Sequence, residues 1–223
     1  MTAYYDLLFS DLEGTALYFD FVNKHIEGTR IIEMACGTGD LLSRLNEVYE
    51  VVGVDLDVQM LDNALEKYPK LKGKLFQGDF LNFQSDQRFD TLICVGDSLN
   101  YISNYQELKS FVSNATKLSD NIIVDMHHPY RLTEFSDGYY EEGKTDSFDY
   151  SYLIDVNDDF LVHQINLLDG TFDTVVQWVF DPSKLITLFE DEGYQVSIFT
   201  DFDLEGYHQV GEKIMMIAKK VTE

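Results

Sequence analysis

Strand-length apolar runs and helical stripes alternate through the first 126 residues of this 223-residue chain. Residues 4–27 predict helix, with Leu7, Leu8, Leu12, Leu17, Phe21 and Val22 on a broad face. Gly14 weakens its middle, so two helical pieces remain open, and Gly28 reads as a stop. Residues 30–35 predict a strand, and a helix over 40–48 follows, with Asp40 as a candidate cap. A strand over 51–55 and a helix over 58–67, ending before Pro69, come next. Short strands are expected at 74–77 and 89–95. A helix over 105–118 carries Leu108, Phe111, Val112 and Ala115 at i, i+3, i+4 and i+7, and a strand spans 121–126. Such alternation argues a doubly wound sheet, and strands apolar along their whole length argue parallel pairing with both faces covered.

The texture changes after Pro129. Residues 146–180 run in strand-length pieces around Asp158-Asp159 and Asp169-Gly170, which reads as an antiparallel meander with those pairs near the hairpin tips. Asp181-Pro182-Ser183 opens a helix bearing Leu185, Leu188 and Phe189, and strands at 195–200 and 213–219 close the chain. The expected architecture is one α/β domain over residues 1–223. It is a doubly wound, mostly parallel, seven-stranded, Rossmann-like sheet with an antiparallel β insertion at 131–180. The insertion serves as substrate lid or dimer surface. Its aromatics (Tyr139, Tyr140, Phe148, Tyr150, Tyr152, Phe160, Phe172 and Trp178) sit mostly at strand spacing and fit the core of a small sheet as well as a lid.

The chemistry concentrates where the first strand ends. Glu33-Met34-Ala35-Cys36-Gly37-Thr38-Gly39 turns through small residues that leave the main chain open to close approach, and Asp55 closes the next strand, placed to take two ribose hydroxyls. A nucleoside crevice at the carboxyl end of the sheet follows. The formal net charge of −24 repels phosphate backbones and anionic membranes, so a small molecule or a protein is expected as partner rather than nucleic acid or a membrane. No apolar run approaches the ~20 residues of a membrane span, and no basic leader precedes an apolar stretch. Cys36 and Cys94 read as free thiols, which suits a cytoplasmic protein. No His-x-x-x-His or cysteine cluster argues for a metal.

With these residues in view, the chain resembles the class I S-adenosylmethionine-dependent methyltransferases, small-molecule type, well over 30–126 and loosely beyond. The segment from Glu33 to Gly39 is similar to the family's first motif, with Ala35 where glycine is common. Asp55 matches the acid ending strand two, and Gly78-Asp79-Phe80 resembles the adenine-contacting motif. The resemblance implies S-adenosyl-L-methionine as cofactor. It places main chain at Ala35, Gly37 and Gly39 beside the methionine and ribose, with Glu33 anchoring the loop or facing the ammonium through water. Asp55 would hold the ribose diol, Asp79 and Phe80 the adenine edge, and Leu56 or Met60 the other adenine face. The carbonyl of Cys94 or its neighbour Val95 would receive the ammonium, and Tyr4 or Tyr5 the carboxylate.

The expected reaction is methyl transfer to a nitrogen or oxygen nucleophile of a small molecule, an in-line displacement with a neutral leaving group, so the protein must align nucleophile and methyl and exclude water. Candidates for the acceptor side are Asp97, Asn100 and Tyr101 after strand four and His127 or His128 after strand five. Adjacent histidines point apart, so one at most faces the methyl; His127, Asp97 and Tyr101 are the chosen set. Two rival readings stand. A nicotinamide-dependent oxidoreductase would use a similar crevice, but Leu42 occupies the place of its third glycine. A non-catalytic adenosylmethionine-binding module would use the same cofactor residues without turnover. A homodimer through the insertion also stays open.

Overall fold

The computed structural model describes residues 11–145, 148–167 and 170–221. Tyr4, Tyr5 and Asp169, all singled out in the sequence, lie outside the described residues. Helix α1 (Leu12–His25) starts where Asp11 accepts the amide N–H groups of Glu13 and Gly14 at 3.0 and 2.9 Å. The cap precedes Gly14, so the glycine sits inside the helix instead of splitting it. Its buried face runs through Phe21 and Val22, whereas Leu12 and Leu17, expected on that face, are exposed.

The main sheet gathers β1 (Arg30–Met34), β2 (Glu50–Asp55), β3 (Leu75–Gln77), β4 (Thr91–Cys94), β5 (Asn121–His127), β10 (Tyr194–Thr200), β11 (Leu204–Glu205) and β12 (Lys213–Lys220). Their order is β11-β10-β12-β5-β4-β1-β2-β3. The first five pair parallel with one another, and β12 runs antiparallel between β5 and β10. Seven strands fall at the expected places. The eighth, β11, is a two-residue edge strand too short to leave a periodic signal.

Helices cover both faces. On one side α1, α2 (Asp40–Leu45) and α3 (Val58–Lys67) bury Phe21, Leu42, Leu45 and Leu61 against Ile31, Ile93 and Ile123. On the other, α4 (Tyr105–Leu118) and α6 (Pro182–Asp191) bury Phe111, Leu185 and Phe189 against Ile32, Leu92 and Val124. Strands β4 and β5 are buried throughout, the arrangement that lets them be apolar on both faces.

A second sheet, β6 (Tyr139–Lys144), β7 (Asp149–Asn157), β8 (Phe160–Leu167) and β9 (Phe172–Trp178), is an antiparallel meander in chain order. Short helix α5 (Tyr130–Glu134) links it to β5, and Phe135 with Leu132 packs under Ile154, Leu161 and Val179. Of the insertion's aromatics, Trp178 turns into the main core, whereas Tyr140 and Phe172 are exposed. Because β1 pairs with β2 on one side and β4 on the other, the connections leave the β1 and β4 carboxyl ends in opposite directions. A crevice opens there, and ligands of such sheets occupy it.

Candidate active site

The loop after β1 borders this crevice with unusual backbone. Ala35 has φ +55°, Gly37 +52° and Gly39 +80°. A Cβ on Gly37 would meet nothing within 4 Å, so open space lies over its main chain. A Cβ on Gly39 would stand 3.2 Å from the Ala64 Cβ, so that glycine lets the loop lie on α3. The N-cap of α2 is Gly39, not Asp40: the Asp40 carboxylate turns away to Lys67 Nζ at 2.9 Å and to the Tyr68 hydroxyl.

Asp55 fixes the loop. Its Oδ2 accepts the Gly37 N–H at 2.8 Å and its Oδ1 accepts the Asp57 N–H at 2.9 Å. Burial raises its pKa, and the backbone N–H groups of Asp57 and Gly37 work against that rise. Glu33 lies behind the loop, 5% exposed, and its Oε2 is a buried oxygen with no hydrogen-bond partner. Burial, then the charges of Asp55 and Asp40, push its pKa well up. A buried, unpartnered carboxyl beside two other acids is a place for a cation.

The remaining crevice residues take varied positions. Leu56 is 67% exposed on the rim, and Met60 is half-buried on the first turn of α3. Asp79 accepts the Leu81 N–H at 2.8 Å, leaving its other oxygen with only a long contact to the Asn82 amide. The Phe80 ring packs edge-on against Phe111, centroids 5.8 Å apart, at the margin of the core. Cys94 is fully buried in β4, and burial raises the thiols of Cys36 and Cys94, so neither is poised as a nucleophile. After β4, a Cβ on Gly96 (φ +81°) would also meet nothing within 4 Å.

Of the acceptor-side candidates, Asp97 and His127 come together. Asp97 sits in left-handed backbone at φ +61°, its N–H donating to Asp125 Oδ1 at 3.0 Å. Its Oδ1 lies 2.5 Å from Lys213 Nζ and 3.5 Å from His127 Nδ1. His127 Nε2 meets Gln177 Oε1 at 2.8 Å, so both ring nitrogens face oxygen atoms. His128 differs: its Nδ1 accepts the Tyr130 N–H at 3.0 Å, its Nε2 meets the His208 carbonyl at 2.9 Å, and Tyr207 stacks on its ring. Both its nitrogens serve the main chain, whereas those of His127 face the side chains of Asp97 and Gln177. Asn100 clamps the two sheets, donating to the Trp178 carbonyl at 2.7 Å and accepting the His127 N–H at 2.9 Å. Tyr101 is 52% exposed at the rim.

The sequence reading did not single out Asp125, Lys213, Tyr18, Gln177, His163 or Arg131. Asp125 is fully buried and bonded by the Tyr18 hydroxyl. Burial pushes its carboxyl up, opposed by the Lys213 ammonium. Burial also works against Asp97, but Lys213 and then His127 hold it below the usual carboxylate range. On the second sheet, Gln177, His163 and Tyr152 share the face turned to α5. Tyr152 hydroxyl and His163 Nδ1 are 2.6 Å apart, and burial lowers the His163 pKa to about 4. An acid inside an otherwise apolar strand, Asp125, was the one signal the sequence offered; Lys213, Tyr18, Gln177 and His163 join across 50 or more positions of chain or through strand pairing, and Arg131 reaches Asp97 from a separate helix.

Residues 31–119 match the family model described as a methyltransferase domain. YqeM of Bacillus subtilis (strain 168), provisionally named a methyltransferase, is 32% identical over 127 residues, covering 52% of this chain and 51% of that protein. The chain spans about half the length of the curated relatives it matches. Among solved structures, an S-adenosylmethionine-dependent methyltransferase of Clostridium acetobutylicum ATCC 824 superposes with TM-score 0.84 at 19% identity, covering 98% of this chain and 96% of that one. The sugar N-methyltransferase KedS8 of Streptoalloteichus sp. ATCC 53650 superposes with TM-score 0.76 at 18% identity, covering 97% and 92%.

Proposed function

We propose that this class I S-adenosylmethionine-dependent methyltransferase passes a methyl group to the nitrogen of a small-molecule amine, with an amino sugar the first class to test. The observation that carries the reading is a crevice lined by carboxylates, open over bare main chain, and closed on one side by an imidazole. The donor is a cation at sulfur with an ammonium tail. Glu33, whose buried Oε2 has no partner, fits that tail, as does the β4 end with open space over Gly96. Asp55 would take the ribose hydroxyls on the lone pairs its two backbone partners leave, and Asp79 the adenine amino group. A dinucleotide pyrophosphate would meet Glu33, Asp40 and Asp55 instead, which disfavours the oxidoreductase reading.

When bound, S-adenosylmethionine supplies a methyl on a positively charged sulfur that leaves as a neutral thioether. The chain must then hold the acceptor nitrogen in line, exclude water and receive one proton. In this reading the ring proton is assigned to Nε2, opposite Gln177 Oε1, and Nδ1 is the nitrogen that would present a lone pair. Nδ1 takes the acceptor's proton, and the Asp97 carboxylate beside it stabilises the resulting charge. His163, Tyr152 and Gln177 line the wall from which the acceptor approaches. Support for an amine comes from KedS8 and from an aminosugar N,N-dimethyltransferase of Saccharopolyspora spinosa, 26% identical over 92 residues.

The test is S-adenosylhomocysteine release with a panel of amino sugars and other amines. Turnover with at least one amine, lost in His127→Asn while donor binding stays intact, is expected. Donor binding with no turnover across amines and hydroxyl compounds would favour the binding module.

A further inference from the structure

One carboxylate oxygen lies between an ammonium and an imidazole. Asp97 Oδ1 lies 2.5 Å from Lys213 Nζ and 3.5 Å from His127 Nδ1, so the ammonium stands a full ångström closer. Lys213 is paired with His127 in the β5–β12 register, which brings both side chains to the same face of the sheet. Asp125, two residues before His127, shares that face, and its Oδ2 lies 3.5 Å from Lys213 Nζ. The Tyr18 ring closes the cluster from α1, 5.5 Å beneath the ammonium, with its hydroxyl on Asp125. The groups facing Asp97 and His127 are therefore Lys213 from β12, Asp125 from β5 and Tyr18 from α1. Arg131 from α5, His163 from β8 and Gln177 from β9 complete the shell.

We propose that Lys213 is a positioning residue for proton transfer: it anchors the Asp97 oxygen shared with His127, holding that carboxylate off Nδ1 so the imidazole lone pair stays available to the acceptor. The proposal rests on the reading of His127 as the proton acceptor. The physical basis is competition. The ammonium at 2.5 Å competes for the carboxylate oxygen, which rests 3.5 Å from Nδ1, beyond ordinary hydrogen-bond distance. The Asp97 main chain is pinned by its N–H to Asp125, so the side-chain torsions alone decide where the carboxylate rests. Without Lys213 the carboxylate is free to swing onto Nδ1 and hold a proton there. Buried charges lose most when one partner is deleted, so Lys213→Met alone risks failing to fold. Asp125→Asn combined with Lys213→Met removes one charge of each sign and leaves Asp97 and His127 in place.

The test is the NMR titration of the His127 ring in the full chain, needing neither donor nor acceptor. Compared with the wild-type chain, Asp125→Asn/Lys213→Met should raise the His127 midpoint by about one pH unit, as a carboxylate released to a histidine does. Asp125→Asn alone should not raise it, and Lys213→Arg should stay near wild type. Where turnover with an amine is in hand, the double variant should lose kcat below its raised midpoint while the donor KM holds. A folded double variant whose midpoint matches wild type would overturn the proposal. If the midpoint moves while His127→Asn keeps full turnover, the positioning holds but the proton-acceptor reading fails, which separates the two.

Discussion

Replacing Asp55 by alanine removes two structural bonds and the ribose contact together. Its Oδ2 accepts the Gly37 N–H at 2.8 Å and its Oδ1 the Asp57 N–H at 2.9 Å. A hydrogen bond to a charged group contributes ~1.5–3 kcal/mol, and because Asp55 is only partly buried the lower end applies to each. The free protein should therefore lose about 2 kcal/mol if one of the two N–H groups finds water as a substitute. Donor affinity suffers separately, because the ribose partner is gone and Gly37 must be reordered on binding. A loss of about 2–3 kcal/mol corresponds to a Kd raised roughly 30- to 150-fold. Asp55→Asn keeps one acceptor oxygen and should fall between. Isothermal titration with S-adenosylmethionine reads the affinity, and hydrogen exchange at Gly37 reads the loop. A folded Asp55→Ala chain whose Kd stays within twofold of wild type, with Gly37 unchanged in protection, would refute both the ribose role and the anchoring role.

Other outcomes follow from the same geometry. Glu33 has a folded pKa raised by burial, so the folded chain holds its proton more tightly, and its stability is full below about pH 4.5 and declines as pH rises toward the folded value. Glu33→Gln should remove that decline and raise the melting temperature at pH 8, roughly 2–4 °C for each kcal/mol recovered, while weakening donor binding; a lower melting temperature at pH 8 would contradict it. His163 has its pKa lowered by burial from 6.5 to about 4, so its contribution is present above about pH 6.5 and is lost as pH falls toward 4, by at most about 3 kcal/mol. Urea denaturation of His163→Gln should show a shallower loss between pH 7 and pH 4.5 than wild type; parallel curves would contradict that. His127→Asn should lower kcat on an amine by on the order of 10²-fold or more with the donor Kd unchanged, read by single-turnover kinetics.

The sequence speaks clearly where local chemistry decides. Helices α3 and α4 begin where expected because Asp57 accepts the Gln59 N–H at 2.8 Å and Asn104 accepts the Glu107 N–H at 3.0 Å. Both signals sit within three residues of the boundary. The Asp40 cap failed because Gly39 took left-handed backbone, which freed Asp40 for Lys67 and Tyr68 about 27 positions away. Asp55 and the loop from Ala35 to Gly39 were legible as a crevice because the strand–loop–helix signal is contiguous. That Asp55 would also hold the Gly37 N–H was not, since this depends on β1 and β2 lying in register. The cluster of Tyr18, Asp97, Asp125 and Lys213 joins groups from α1, β5, β12 and the β4 end, separated by up to 195 positions of chain, and no spacing rule reaches that far. That the Phe80 ring packs edge-on against Phe111 was not legible, since an aromatic after a glycine turn can lie on the core or on a ligand.

The central claim is a cationic adenosyl donor laid over the Gly37 and Gly96 main chain, with its sugar on Asp55. A crystal structure of the full chain soaked with S-adenosylhomocysteine tests it most directly. The expected result puts both ribose hydroxyls within hydrogen-bond distance of the Asp55 carboxylate and the tail ammonium between the Glu33 side and the end of β4. A ligand bound away from this crevice, or an empty crevice at millimolar ligand, would contradict the account.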